Sequence, residues 1–297
     1  MRKFKKLLNK LPYIKGLVRQ LSIYKTWVPP GHFYSPVVSV EDVVKRKNQI
    51  FDNILKPSAI EINDNDQFKL LKSLLQYYSD MPFGYEQCDR HRFFFNNKYF
   101  AYADGTLLYL IMRHINPSKI IEIGSGFSSA LMLDVNEIFL SSKSELSFIE
   151  PFPENRLTQL LRSNDSATLL AKPLQEIDLS YFDKLTKGDI LFVDSSHVAK
   201  TGSDLNYLMF QVLPRLSSGI IIHFHDIFYP FEYPVEWVTE GRSWNEVYFI
   251  QAFLMYNTQY QVLLFNNYVQ KKHKDWIENN MPLLSKDRGS SLWLMKV

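Results

Sequence analysis

The chain has 297 residues, 46% of them apolar and 15% aromatic. That is enough for one large α/β domain with an appendage, and it excludes global disorder. The single cysteine, Cys88, excludes an internal disulfide and a multi-cysteine zinc site, and it fits a reducing, cytoplasmic compartment. Net charge is +3. Residues 1–40 carry Arg2, Lys3, Lys5, Lys6, Lys10, Lys15, Arg19 and Lys25 and no acid, so the remaining chain is acidic on balance. A uniformly basic body, as a dedicated nucleic-acid binder needs, is absent.

In the opening "MRKFKKLLNKLPYIKGLVRQL", Phe4, Leu7, Leu8 and Leu11 recur at helical spacing among basic residues. Pro12 and Gly16 are expected to split the pattern into two amphipathic pieces. Residues 1–27 read either as a peripheral foot on an anionic membrane or as a helix packed on the protein's own body. "VPPGHFYSP" (28–36) is expected to be an ordered turn packed by its aromatic residues. Residues 41–115 form a predicted helical cap. It includes an amphipathic helix over 68–83, ending at Pro82, an aromatic loop over 92–105, and an apolar helix over 106–115.

After Pro117 the pattern changes. Apolar runs at 119–124, 145–150, 167–171, 189–194, 219–226, 260–266 and 291–297 alternate with helical segments. This predicts a Rossmann-like, doubly wound α/β domain over 116–297 with a mostly parallel sheet. No clear helix separates the last two runs, which suits an antiparallel final strand.

"IIEIGSGFSSA" (120–130) is a strand, a glycine turn and a helix start. Gly124 and Gly126 permit close ligand approach, and the helix N-terminus favours polar ligand atoms. Ser129 replaces the third glycine of the dinucleotide fingerprint. Glu122, inside the strand, needs donors, and either buttresses the loop or faces a ligand. Glu150 ends the next strand, where an acid can accept both hydroxyls of a ribose. The fourth and fifth long runs end in "FVDSSHV" (192–198) and "IHFHDIFYP" (222–230). Asp194, His197, His225 and Asp226 therefore sit where open α/β sheets bind ligands. His223, off the Asp226 face by strand alternation, reads as a core histidine bonded to a backbone carbonyl.

In this order these motifs resemble the class I S-adenosylmethionine-dependent methyltransferases, over about residues 90–297. Within them the chain is similar to a bacterial subfamily often associated with cell-surface sugar or natural-product methylation. The resemblance implies a seven-stranded sheet with the last strand antiparallel. It also implies S-adenosylmethionine as cofactor, with Glu122, Gly124, Ser125 and Gly126 along its methionine part and Glu150 on its ribose. Gln175 or Glu176 would lie near its adenine.

Asp194 and Asp226 with His225 could hold Mg²⁺ or Mn²⁺, His197 then being the general base. Without metal, His197 is the base and Asp194 orients it. "Asp-Ser-Ser-His" stands where adenine- and glutamine-methylating relatives carry Asn/Asp-Pro-Pro-aromatic, so oxygen is the expected acceptor, on a sugar, glycolipid or secondary metabolite. The aromatic loop 228–246 reads as a substrate lid with Tyr229, Tyr233, Trp237 and Trp244 for stacking, or as a hydrophobic cluster. Two rival functions are a nicotinamide-dependent oxidoreductase and a non-catalytic membrane-associated module. Oligomeric state has no signature in the sequence.

Overall fold

The computed structural model describes residues 26–52 and 56–297, and individually Pro12, Ile14 and Gly16. Those three are helical, so the interruption expected at Pro12 and Gly16 does not appear there. The rest of the basic amphipathic segment up to residue 25 lies outside the described residues.

The described chain divides into two compact units. One takes residues up to 52 with Val235–Ser243. It holds the short helix Val40–Lys45, whose N-terminus Ser39 caps by accepting from the Asp42 N–H. The turn at 28–36 carries rings in contact, Phe33 and Tyr34 meeting edge to face at 5.2 Å. They do not form a packed interior, however, because Phe33 is 90% exposed.

The second unit takes residues 56–234 and 244–297 as described. Its centre is a seven-stranded sheet in the order β3-β2-β1-β4-β5-β7-β6. The strands are β1 (Lys119–Ile123), β2 (Glu145–Ile149), β3 (Thr168–Leu170), β4 (Ile190–Val193), β5 (Ile221–Phe224), β6 (Tyr260–Phe265) and β7 (Leu292–Lys296). All pairings are parallel except those of β7 with β5 and β6. β4 and β5 are buried along their whole lengths, as expected for central strands covered by helices on both faces. Two helices, Asn266–Lys272 and Lys274–Asn280, do lie between β6 and β7. Their short, polar-rich stretches hide the helical period, yet β7 is antiparallel all the same.

The helical cap over 41–115 is less continuous than its pattern. Asp64–Leu74 is α-helical and tightens to a 3-10 turn through Asp80, just short of Pro82. Tyr102–Ile115 starts four residues earlier than predicted, and ends where Asn116 takes a left-handed conformation before Pro117. The aromatic loop before it is pinned by Arg92, which is buried and meets Asp134 at 2.6 Å and Glu137 at 2.7 Å. Phe93, Phe95 and Phe100 are thereby held in the core. His223 is a core residue, stacked on Phe192 at 3.7 Å; its Nε2 pairs with the Ser291 hydroxyl at 2.9 Å, and a backbone hydrogen bond to Val193 acts on it as well. Among the described residues no helix is long and apolar enough to cross a membrane.

Candidate functional site

The glycine turn closes against the end of β4. Gly124 has φ +77°, and a β-carbon there would lie 1.8 Å from the Asp194 carbonyl oxygen. Only glycine meets both demands. The turn is locked from below by Glu122. This carboxylate is fully buried and accepts from the Ser128 hydroxyl at 2.5 Å and from Ser129; the Ser129 oxygen in turn accepts from the Gly126 N–H at 2.9 Å. Burial pushes Glu122 up to about 8, against the pull of the Ser128, Ser129 and Ser125 hydroxyls. Glu122 thus buttresses the turn, and it is not among the residues walling the cavity beyond it.

A cavity of about 400 Å³ opens beyond the turn, walled by Gly124, Glu150, Phe152, Gln175, Asp194 and Ser203 among others. Its size suits a small-molecule cofactor. Glu150 is aimed by two backbone donors, the Ser125 N–H at 3.1 Å and the Phe152 N–H at 2.8 Å. Each oxygen keeps a lone pair for a ligand hydroxyl. The Ser125 hydroxyl is buried in the turn and, like those of Ser128 and Ser129, favours the charged form of Glu122. Gly126 faces Arg156, whose Cδ would be 2.9 Å from a β-carbon and whose guanidinium covers Tyr99 at 3.5 Å. Gln175 lies on the far wall and donates to the Gly202 carbonyl at 2.8 Å. The carbonyl-tethered side chain, the Gly124 cradle and the Glu150 acceptors together fit an adenosine-bearing group. Glu176 is not on this wall.

The ends of β4 and β5 build the second half. Asp194, His197 and Asp226 each present a ligand atom within 4.8 Å of the others. His197 and Asp226 are both left-handed, φ +59° and +58°. Such conformations cost energy in residues with side chains and cluster at functional sites. The His197 loop is clamped in several ways. Ser196 bonds Asp204 through both its N–H and its hydroxyl, and the His197 carbonyl accepts from the N–H groups of Asn245 and Glu246. The imidazole lies against Trp244, ring centroids 4.3 Å apart.

The partner of His197 was not visible in the sequence. Glu246, in the first turn of helix Glu246–Leu254, is 1% exposed and meets Nδ1 at 2.7 Å. An acid opening an otherwise apolar helix was the available signal. Nε2 faces Asp194 at 3.3 Å and Asp226 at 3.6 Å. Burial alone would lower the His197 pKa, but the Asp194 and Glu246 carboxylates outweigh it and hold it well above the ordinary imidazole range. Burial raises Asp226. Asp194 stays low despite burial, because His225 and His197 face it.

His225, expected beside the two aspartates, is not in the trio; His197 takes that place. The His225 ring sits against Phe100 at 5.2 Å, with Nε2 3.5 Å from Asp226. Alternation explains this: His225 and Asp226 are adjacent, and the left-handed turn at Asp226 swings only the latter toward His197. Two carboxylates and one imidazole match the donor set of a Mg²⁺ or Mn²⁺ site.

Of the loop aromatics, Tyr233 is buried and its hydroxyl accepts from the Val247 N–H at 3.2 Å. It is core and unavailable for stacking. Trp237 belongs to the other unit, under Arg242 at 4.4 Å.

The strand order, the glycine turn after β1 and the acid after β2 define a doubly wound α/β fold with a cluster of two carboxylates and an imidazole beside the turn. Residues 121–227 match the family model described as a methyltransferase domain. Over 170 residues the chain is 35% identical to an uncharacterized protein of Archaeoglobus fulgidus, a match that spans 54% of this chain and 75% of that protein. Among solved structures, the SAH-bound methyltransferase PaMTH1 of Podospora anserina is 16% identical, with a TM-score of 0.43, over 92% of this chain and 99% of its own. The O-methyltransferase TomG of Streptomyces achromogenes, in complex with SAM, is 14% identical, with a TM-score of 0.40, over 86% of this chain and 96% of its own. The chain belongs to the class I S-adenosylmethionine-dependent methyltransferases.

Proposed function

We propose that this enzyme methylates a hydroxyl of a sugar, glycolipid or secondary metabolite, with Mg²⁺ or Mn²⁺ held by Asp194, His197 and Asp226. The observation that carries this reading is the convergence of those three side chains within 4.8 Å, at a strand end whose Asp194 also walls the cofactor cavity. S-adenosylmethionine supplies the methyl electrophile. A cation at the trio would lower the pKa of an acceptor hydroxyl and orient it.

The chain's own residues do the rest. Glu150 accepts from the ribose, and the Gly124 cradle lets the cofactor approach the end of β4. Glu246 takes the Nδ1–H of His197 and so fixes the ring with Nε2 turned to the two aspartates. The carboxylates of Asp194 and Asp226 align the acceptor oxygen, and Asp226 takes its proton as the O–CH3 bond forms and the S–CH3 bond breaks, leaving S-adenosylhomocysteine. Oxygen is favoured over an amide or adenine nitrogen because "Asp-Ser-Ser-His" replaces the Pro-Pro-aromatic sequence of nitrogen-methylating enzymes.

In the metal-free alternative His197 is the base and Asp194 orients it. It ranks second because Nε2 converges with one oxygen of Asp194 and one of Asp226 within 4.8 Å, as a shared cation would require. We place the enzyme in the cytoplasm, with residues 1–27 resting on anionic lipid. The support is eight basic residues without an acid and the apolar stripe Phe4, Leu7, Leu8 and Leu11. Vesicle binding lost on deleting that segment tests it.

The deciding experiment is calorimetric titration of S-adenosylmethionine with chelator and then with Mg²⁺, beside Mn²⁺ binding followed by electron paramagnetic resonance. Cofactor binding that falls in Glu150→Ala, with Mn²⁺ binding that falls in His197→Ala, supports the reading. Full Mn²⁺ binding in His197→Ala would return His197 to the role of base. No cofactor binding by folded protein would sink the whole assignment.

A further inference from the structure

A second cavity, of about 270 Å³, is lined by Lys56, Ile62, Tyr229, Tyr268, Lys271 and Lys272. Its place follows from the sheet. β5 and β6 are both antiparallel to β7, so they run parallel to each other and end on the same edge. β5 delivers Asp226 there, and β6 runs straight into helix Asn266–Lys272, which carries Tyr268, Lys271 and Lys272. Tyr229 follows Asp226 by three residues, at most about 10 Å of extended chain. The cavity thus lies on the ligand edge of the sheet, on the side of Asp226 away from the cofactor.

Its walls are fixed. The Tyr229 and Tyr268 rings meet edge to face at 4.9 Å, and Tyr229 meets Phe265 at 5.9 Å. Lys271 Nζ donates to the Tyr229 carbonyl at 2.8 Å. That bond pins the ammonium at the cavity and leaves two of its three donors for a ligand. No acid is among the lining residues. The neighbouring Asp64 is engaged by His273 Nε2 at 2.9 Å and by the hydroxyl of Tyr268. Three lysines line this small aromatic-walled hollow, and compact lysine charges suit an anion such as phosphate.

We propose that this cavity binds a phosphate ester carried by the methyl acceptor, so that one molecule places its hydroxyl at Asp226 and its phosphate at Lys271. This rests on the methyltransferase reading for the hydroxyl end only. The acceptor class is then a phosphorylated sugar or a lipid with a phosphate headgroup.

The test uses the full chain with S-adenosylhomocysteine present, titrated with glucose 6-phosphate, and in a second arm sedimented with phosphatidic acid vesicles. Binding of either probe should weaken at least about fivefold in Lys271→Gln and in the Lys56→Gln/Lys272→Gln double variant, since each ammonium supplies a charge-assisted bond. Lys274→Gln, an exposed lysine on the next helix, should leave it unchanged. Sensitivity with glucose 6-phosphate puts the phosphate on a soluble acceptor; sensitivity with vesicles alone puts it on a lipid. If neither probe binds, or if binding ignores the cavity lysines or responds equally to Lys274→Gln, the proposal is overturned. S-adenosylhomocysteine affinity, measured in the same samples, reports separately: its loss would break the enzyme assignment, and its persistence without phosphate binding would break only the cavity.

Discussion

The cofactor half and the reaction half of this site are built by different means. The first is made of one continuous stretch and the strand next to it: Gly124, Ser125 and Gly126 between β1 and its helix, with Glu150 at the end of β2. Backbone donors aim its key acid. The second half gathers side chains from three separate segments, Asp194 and His197, Asp226, and Glu246. It holds them by left-handed turns and by charges packed in low dielectric. A site made of backbone tolerates changed side chains but no added atom. A site made of charges tolerates added atoms but no changed charge.

The sharpest way to break the comparison is Gly124→Ala, because this residue belongs to both halves. Its new methyl would meet the Asp194 carbonyl at 1.8 Å. Turn and strand end must separate, so cofactor affinity is expected to fall by at least about 100-fold, with turnover lost as well. Calorimetry of folded protein checks it; affinity within a factor of a few would show that the turn adapts.

Asp226→Asn should separate the halves. Turnover is expected to fall by about 10²–10⁴-fold, while S-adenosylmethionine affinity stays near wild type, since Asp226 is not on the cofactor wall. Glu246→Gln is milder, because it leaves the trio intact and weakens only the hold on Nδ1. A 10–100-fold loss in Mn²⁺ affinity or turnover is the expected range for such a supporting acid. An equal loss in Glu246→Gln and Asp226→Asn would mean that Glu246 touches the reaction directly.

The same contrast decides what could be read in the sequence. The glycine turn and Glu150 are short-range signals, set by adjacent residues and one strand length, and both lie where the pattern put them. The seven strands were legible because buried parallel strands are continuous apolar runs. His225 was drawn into the trio because strand alternation cannot foresee a left-handed turn at Asp226. Glu246 was missed because it is 49 residues from His197 and meets it only through the fold. The helices after β6 were missed because short polar helices show little period. Tyr233 and Trp237 looked alike in one aromatic loop, yet one is core and the other belongs to a different unit.

The last expected effect is on stability and not on turnover, and it concerns the buttress beneath the cofactor half. Glu122 is a carboxyl whose folded pKa is raised, to about 8, by burial. The folded protein therefore holds its proton more tightly than the unfolded chain. Stability from this group is fully present below the unfolded value near 4.5. It declines as pH rises toward 8 and is flat beyond, because between those limits the folded state binds more protons. The decline amounts to at most about 5 kcal/mol, with the opposing pull of the serine hydroxyls already counted in the folded value. Glu122→Gln removes the titration, so its denaturant midpoint between pH 5 and 8 should fall less than that of wild type. If the two midpoints run parallel across that window, Glu122 is ionised in the folded protein, and the glycine turn rests on a charged carboxylate held by two serines.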